Sequence, residues 1–197
     1  MDDERNIEQA ELRSGIQFIN PFTLRSKIVR SLWNVIQPLT FGLLPTPFHA
    51  WRRFVLRCFG AKIGEGAHVY PKAKIWAPWN LVMGNHSCLS NHVDCYCVAP
   101  VVVGDHAIVS QYSYLCTATH DYSSHGFELI VKPITIGAQA WVAADVFVGP
   151  GVTIGEGSVI GARSNVLKDV DPWSVWVGSP ARRVKDRRII DKAGERL

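Results

Sequence analysis

The sequence predicts an all-β solenoid of short parallel strands, because a six-residue repeat runs through about two thirds of the chain. Each repeat opens with an aliphatic residue, often followed by glycine, and a small residue usually stands at its fifth position. The repeats come in threes, so we expect three strands per coil and about five coils, with each opening side chain stacked inside on the one below. No helix-period segment separates the strands, which excludes alternating strands and helices. The opening residues are Ile63, Val69, Ile75, Met83, Leu89, Cys95, Val103, Val109, Leu115, Ile136, Val142, Val148, Ile154, Ile160 and Val166.

Interruptions of the repeat predict the corners between coils, and one interruption is much longer than the others. The repeat slips by two residues after Asn80 and after Pro100, but by fifteen after His120. A loop that projects from a rigid scaffold commonly carries function. His120, directly before this loop, is therefore the candidate catalytic residue. We divide the chain into an N-terminal extension (1–62), a solenoid (63–171) with a loop (121–135), and a C-terminal tail (172–197).

The N-terminal extension is cationic and apolar. Residues 12–64 contain eight Lys and Arg residues and no Asp or Glu. Two amphipathic helices are expected over residues 21–37 and 47–59, with Pro38, Pro45 and Pro47 as interruptions. Two interpretations stay open: a cap over the first coil, and a surface that also rests on an anionic membrane leaflet. Nucleic acid is not expected as a partner, because the net charge of +4 is modest and no recognised nucleic-acid module is present.

Cysteine usage and the first residues favour a cytoplasmic protein, with peripheral contact at the inner face of the membrane as the second option. The five cysteines form no CxxC pair and are odd in number, which is typical of reduced thiols. Residues 1–11 are rich in acids and lack the apolar core of a signal peptide. The apolar stretch between the expected helices is shorter than the roughly 20 residues of a spanning helix.

Three further motifs carry a resemblance to a known family. The first is Thr119-His120-Asp121 before the loop, the second covers residues 134–142 (ITIGAQAWV), and the third covers residues 177–182 (VGSPAR). Together with the repeat they resemble the hexapeptide-repeat acyltransferases from residue 63 to about residue 185. Within that superfamily, residues 50–54, 76–81 and 110–115 are similar to the colanic-acid-type polysaccharide O-acetyltransferases.

The resemblance implies a left-handed parallel β-helix that assembles as a homotrimer, with acetyl-CoA as co-substrate in the groove between subunits and no metal. It implies that His120 is the general base and that the backbone N–H of Ala144 stabilises the tetrahedral oxyanion. Several sugar acetyltransferases have Thr where this chain has Leu167, so a contact there is expected through the backbone. The implied CoA contacts are Trp141, Ala144, Ala162, Leu167, Lys168, Arg182 and Lys185.

The acceptor implied by the resemblance is a sugar hydroxyl, on a nucleotide sugar or on a lipid-linked oligosaccharide. The maltose and galactoside enzymes have an acid where this chain has Val98, so Asp94 and Tyr96 are the candidate acceptor contacts. Two alternatives stay open. One is a non-catalytic trimeric scaffold or binding module. The other is a γ-type carbonic anhydrase, whose zinc-ligand spacing is matched by His120 and His125, although His125 lies off the repeat.

Overall fold

The computed structural model describes residues 24–189, which form two helices followed by a parallel β-solenoid. The helices are α1 (Leu24–Phe41) and α2 (His49–Cys58), and a 3₁₀ turn covers Pro78–Asn80. The strands are β1 (Lys62–Ile63), β2 (His68–Val69), β3 (Lys74–Ile75), β4 (Leu81–Met83), β5 (Cys88–Leu89), β6 (Asp94–Tyr96), β7 (Val101–Val103), β8 (Ile108–Val109), β9 (Tyr114–Cys116), β10 (Ala118–His120), β11 (Leu129–Val131), β12 (Ile134–Ile136), β13 (Trp141–Val142), β14 (Phe147–Val148), β15 (Thr153–Ile154), β16 (Val159–Ile160), β17 (Asn165–Val166), β18 (Ser174–Val177) and β19 (Arg182–Asp186). The predicted solenoid with a helical N-terminal extension and one extended loop is confirmed.

The solenoid has three parallel sheets, one for each side of the coil. Sheet A has the order β1-β4-β7-β12-β15, sheet B contains β2-β5-β8-β13-β16-β18, and sheet C has the order β17-β14-β9-β6-β3. Five coils are complete, and β18 begins a sixth, which β19 closes by pairing antiparallel to β18. The register aligns each opening residue with the next, as Ile63 with Met83 and Met83 with Val103, so their side chains stack inside the coil.

The core is the stack of repeat-opening residues, all of which are buried. Small residues at the fifth position are buried beside them, and the hydroxyls of Ser87, Ser158 and Ser164 each donate to the carbonyl three residues earlier. Their polar groups are therefore satisfied inside the core. Thr119 also stands at a fifth position but is exposed, because β10 leaves the coil to pair with β11.

The fourth position of the repeat forms a corner with positive φ. His86, His92 and His106 have φ of 54°, 61° and 57°, in the left-handed region. Corner residues of successive coils lie on one another, and the rings of His86 and His106 stack 5.1 Å apart. Gly66 begins this column, and a Cβ there would lie 2.3 Å from the His86 ring. A side chain at residue 66 would therefore displace the His86 ring from the column.

The first helix is longer than the sequence predicted. It continues past Pro38 to Phe41. Proline removes only one backbone donor, and the last turn still closes because the Gly42 N–H donates to the Pro38 carbonyl (3.1 Å). On the solenoid side, Trp33 Nε1 donates to the Ile75 carbonyl at 2.6 Å. No helix within residues 24–189 is long and apolar enough to cross a membrane.

The arginines of α2 attach this helix to the start of the solenoid. Arg52 is fully buried, and its guanidinium donates to the carbonyls of residues 44–46. Arg53 donates to the Ala67 carbonyl at 2.9 Å, and Arg57 donates through Nε to the Ile63 carbonyl at 3.1 Å. The last two carbonyls belong to the first coil, which has no coil before it. These contacts favour the cap interpretation for α2, because the guanidinium groups of Arg52, Arg53 and Arg57 are bound to backbone carbonyls.

Candidate active site

His120 is held by its own loop in a defined orientation. Strand β10 ends at His120 and pairs antiparallel with β11, so the loop between them forms a hairpin. The Nδ1 atom of His120 lies 2.8 Å from the Phe127 carbonyl oxygen, and the rings of these two residues stack 4.5 Å apart at 10°. Because a carbonyl only accepts, Nδ1 carries the proton, and the lone pair of the neutral imidazole is on Nε2.

The tip of the same hairpin is stabilised by short-range polar contacts. The backbone N–H of Ser123 donates to Oδ1 of Asp121 at 3.0 Å, and hydrogen bonds from Ser123 lower the pKa of the Asp121 carboxyl. A hydrogen bond from Ser124 lowers the pKa of Glu128 in the same way. Phe127 was not identified from the sequence, because it lies outside the repeat and only the hairpin brings its carbonyl to His120.

Three of the expected CoA contacts lie along sheet B and the corner that follows it. Trp141 is half-exposed on the outer face of β13, and its Nε1 donates to Ser110 Oγ at 3.0 Å. Ala144 follows β13 and Ala162 follows β16, and the Ala144 carbonyl accepts a hydrogen bond from the Arg163 N–H at 3.0 Å. Within residues 24–189, no group accepts a hydrogen bond from the Ala144 N–H.

The remaining expected CoA contacts lie on the last coils. Leu167 and Lys168 follow β17, and both are exposed. Arg182 and Lys185 are on the exposed strand β19. Lys185 lines a cavity of ≈ 690 Å³ with Val175, Arg183, Asp186, Arg187 and Arg188. The cavity is predominantly cationic, and its three arginines were not among the residues picked from the sequence, although residues 182–188 are visibly rich in Arg and Lys.

One chain does not bring His120 and Ala144 together. Strands β9 and β14 are neighbours in sheet C, with Tyr114 paired to Phe147. Ala144 precedes β14, whereas His120 follows β9. Since the two strands are parallel, the two residues lie at opposite edges of sheet C, one where its strands begin and the other where they end. Trp141 and Ala162 lie on the same side of the coil as Ala144, before the strands of sheet C begin. Leu167 and Lys168 follow a strand of sheet C, as His120 does.

The candidate acceptor contacts face outward from sheet C, on β6. Tyr96 lies between Trp76 and Tyr114, with ring centroids 5.5 and 6.3 Å away, and Tyr114 continues the row to Phe147 at 5.7 Å. Oδ2 of Asp94 pairs with Lys74 Nζ at 3.0 Å. Its other oxygen, Oδ1, is buried and has no hydrogen-bond partner among the described residues. Burial raises the pKa of Tyr114 above its ordinary value.

The zinc alternative requires His125 to join His120 in a cluster of metal ligands. His125 is exposed in the hairpin loop, away from the repeat. Among residues 24–189, no group of three or more His, Cys, Asp or Glu side chains is arranged to hold a metal ion.

The coils of hexapeptide repeats are shared with a family of transferases. The family described as bacterial transferase hexapeptide (six repeats) matches residues 133–168. A protein of Escherichia coli (strain K12) named provisionally as the colanic acid biosynthesis acetyltransferase WcaF is 41% identical over 174 residues, which cover 88% of this chain and 96% of that protein. The chain therefore belongs to the hexapeptide-repeat acetyltransferases, as the resemblance in the sequence implied.

Two further relatives agree with this assignment. The galactoside O-acetyltransferase of Escherichia coli (strain K12) is 31% identical over 145 residues, covering 72% of this chain and 71% of that enzyme. A hexapeptide-repeat acetyltransferase from Vibrio cholerae O1 biovar eltor, solved with acetyl coenzyme A, superposes with a TM-score of 0.78 at 26% identity. The superposition covers 91% of this chain and 99% of the Vibrio cholerae chain. The chain is thus an acetyltransferase, and the alternative of a non-catalytic scaffold is not supported.

Proposed function

We propose that the protein transfers an acetyl group from acetyl-CoA to a sugar hydroxyl in exopolysaccharide or related glycan assembly, with His120 as the general base. The contact between His120 Nδ1 and the Phe127 carbonyl carries this proposal, because it leaves Nε2 as the proton acceptor. Relatives named as acetyltransferases of colanic acid biosynthesis and of galactosides support the substrate class.

His120 Nε2 takes the proton of the acceptor hydroxyl while the hydroxyl oxygen attacks the thioester carbonyl carbon. The C–S bond breaks as the tetrahedral intermediate collapses, and His120 returns the proton to the CoA sulfur. A general base of this kind typically contributes about 10²–10⁴-fold to the rate. The N–H of Ala144, which has no acceptor within the described part of the chain, is the donor for the oxyanion, a contact associated with about 10²–10³ in rate.

The residues implied for CoA fit a long ligand with an anionic end. Trp141, on the strand before Ala144, offers an exposed indole, and Ala162, at the equivalent corner of the next coil, offers a small side chain; both suit a narrow thioester arm. Leu167 and Lys168 lie on the last full coil, and Arg182 and Lys185 supply positive charge for the nucleotide phosphates. Arg183, Arg187 and Arg188 add to that charge around the cavity beside Lys185.

The active site is shared between neighbouring chains of a homotrimer. His120 and Ala144 lie at opposite edges of sheet C in one chain, whereas catalysis requires both beside the same carbonyl group. An adjacent chain supplies the missing edge. The acceptor rests on sheet C, where Asp94 Oδ1 has no hydrogen-bond donor among residues 24–189 and Tyr96 belongs to a row of aromatic rings. Such a face, apolar with a few polar groups, suits a sugar ring.

Replacing His120 with alanine tests the proposal. We expect the His120→Ala variant to keep its melting temperature and CoA affinity but to lose at least about 100-fold in kcat, because only the base is removed. His125→Ala, in the same hairpin, is the matched control and keeps normal turnover. Near-normal kcat in His120→Ala, or zinc-dependent activity lost in His125→Ala, contradicts the assignment.

Mixed assemblies test the sharing of the site. Neither His120→Ala nor Trp141→Asp is expected to be active alone. Trimers assembled from both chains regain part of the activity, because one neighbouring pair then combines an intact His120 with an intact Trp141. A fully active monomer in sedimentation velocity contradicts the shared site.

A further inference from the structure

Helix α1 has two apolar faces, and the fold covers only one of them. Trp33 and Phe41 are buried against the rest of the protein. A second face carries aliphatic side chains at spacings of three and four residues, which places them along one line of the helix. We call this line the exposed stripe: Leu24, Ile28, Leu32, Val35 and Leu39, exposed by 74%, 61%, 53%, 59% and 56%.

The segment after α1 repeats the pattern. Leu43 is 74% exposed in the connection, and Phe48 is 48% exposed just before α2. On α2, Trp51 and Phe54 are 41% and 57% exposed, whereas Val55 and Leu56 are buried. Exposed apolar side chains therefore line both helices, and contiguous apolar surface commonly marks a site of contact with a partner or a membrane.

The positive charge around the exposed stripe favours a negatively charged partner. Residues 24–64 contain no Asp or Glu. The guanidinium groups of Arg53 and Arg57 donate to carbonyl oxygens, which are neutral, so the positive charge of the segment is not cancelled. Lys27 is exposed on α1 as well. A second copy presenting the same face would bring like charges together, whereas an anionic bilayer offers both apolar depth and negative charge.

We propose that α1 and α2 bind in the plane of an anionic lipid bilayer, with the exposed stripe below the headgroups and Trp51 at the interface. The apolar side chains supply most of the affinity, and the cations select negatively charged lipid. This inference does not rest on the acetyl-transfer chemistry. Its consequence for that chemistry is that the solenoid stands on the membrane surface, where a lipid-linked acceptor is within reach.

Sedimentation of the full-length protein with vesicles tests the proposal. We expect binding to vesicles of phosphatidylcholine and phosphatidylglycerol at low salt, and weaker binding to phosphatidylcholine alone. The triple variant Ile28→Gln, Leu32→Gln, Val35→Gln should bind about tenfold or more weakly, because three exposed aliphatic side chains no longer enter the apolar layer. Raising the salt to 1 M shortens the Debye length to about 3 Å, and it should release only part of the bound protein.

A matched pair of single variants keeps the test decisive if the triple variant does not fold. Val35 on α1 and Val184 on β19 are both 59% exposed, at opposite ends of the solenoid. Val35→Gln should weaken vesicle binding by about two- to fivefold, and Val184→Gln should leave it unchanged. Equal effects of the two substitutions overturn the proposal. So does an absence of wild-type binding at low salt, which means that another part of the chain covers the stripe. A change of oligomeric state in the variants also overturns it, because the stripe is then an interface between copies.

Discussion

The two ends of the solenoid close the same kind of open coil with different chemistry. At the first end, helices cover the coil, and arginine side chains donate to its carbonyls, as Arg53 does to Ala67 and Arg57 to Ile63. At the last end, β19 pairs antiparallel with β18 and covers the edge of sheet B through its backbone. The side chains of β19 are therefore left exposed.

This difference shows that a cation count does not reveal what the cations do. Arg52 is fully buried in the cap, whereas Arg182 and Lys185 are exposed on β19. The first group stabilises the fold, and the second is available to an anionic ligand. Substitutions at the two ends should accordingly change different measured quantities.

Arg52→Met should give the largest change in stability. The buried guanidinium donates to three successive carbonyls, and its loss removes the three charge-assisted contacts that hold residues 44–46 against α2. We expect a loss of about 2–4 kcal/mol, seen as a melting temperature lower by about 5–15 °C. Arg188→Met, at the exposed end, is the control and should change the melting temperature by less than about 1 °C. Equal melting temperatures for wild type and Arg52→Met break the distinction between the two ends.

Lys185→Gln should give a smaller effect of another kind. Under the proposed function Lys185 contacts a CoA phosphate, so removing its charge is expected to raise KM for acetyl-CoA about tenfold, with kcat and the melting temperature unchanged. Lys62→Gln, an exposed cation at the first end, is the matched control and should leave KM unaltered. If both substitutions raise KM equally, the cations near β19 have no special role.

The sequence predicted those features whose geometry the repeat encodes directly. Openers such as Leu89 and Val109 are buried as expected, because each coil repeats the same three-strand path. The long interruption correctly identified a loop at His120. The contact with Phe127 could not be foreseen, because it depends on how the hairpin folds back across seven residues.

Two other features depend on long-range placement. The roles of Arg52 and Arg57 follow from which carbonyls lie nearby, and charge in the sequence carries no information about that. The separation of His120 from Ala144 follows from the parallel pairing of β9 with β14, which places residues before one strand and after the other at opposite edges. A motif-based assignment groups the two residues by function without showing that one chain holds them apart.

The cap also contains a histidine contact, whereas β19 has no histidine. Nδ1 of His49 on α2 lies 2.9 Å from the Val69 carbonyl, and its ring stacks on His68 at 4.4 Å. Burial lowers the pKa of His49 below the ordinary 6.5, and the nearby His68, Arg52 and Arg53 lower it further, against the hydrogen bond to Val69. The folded protein therefore takes up this proton at a lower pH than the unfolded chain does.

The smallest expected effect is an acid sensitivity confined to the cap. Since the unfolded chain binds more protons between the folded pKa and 6.5, the stabilisation is complete above pH 6.5 and is lost as the pH falls through the folded pKa of His49. Amide protection factors in α2 should decrease from pH 7 to pH 5.5, while those in β18 and β19 stay constant. His49→Asn keeps a side-chain N–H for the Val69 carbonyl but does not titrate, so its protection in α2 should depend less on pH. The same decrease in His49→Asn as in the wild type shows that another group causes it, and a parallel decrease in β19 removes the contrast between the two ends.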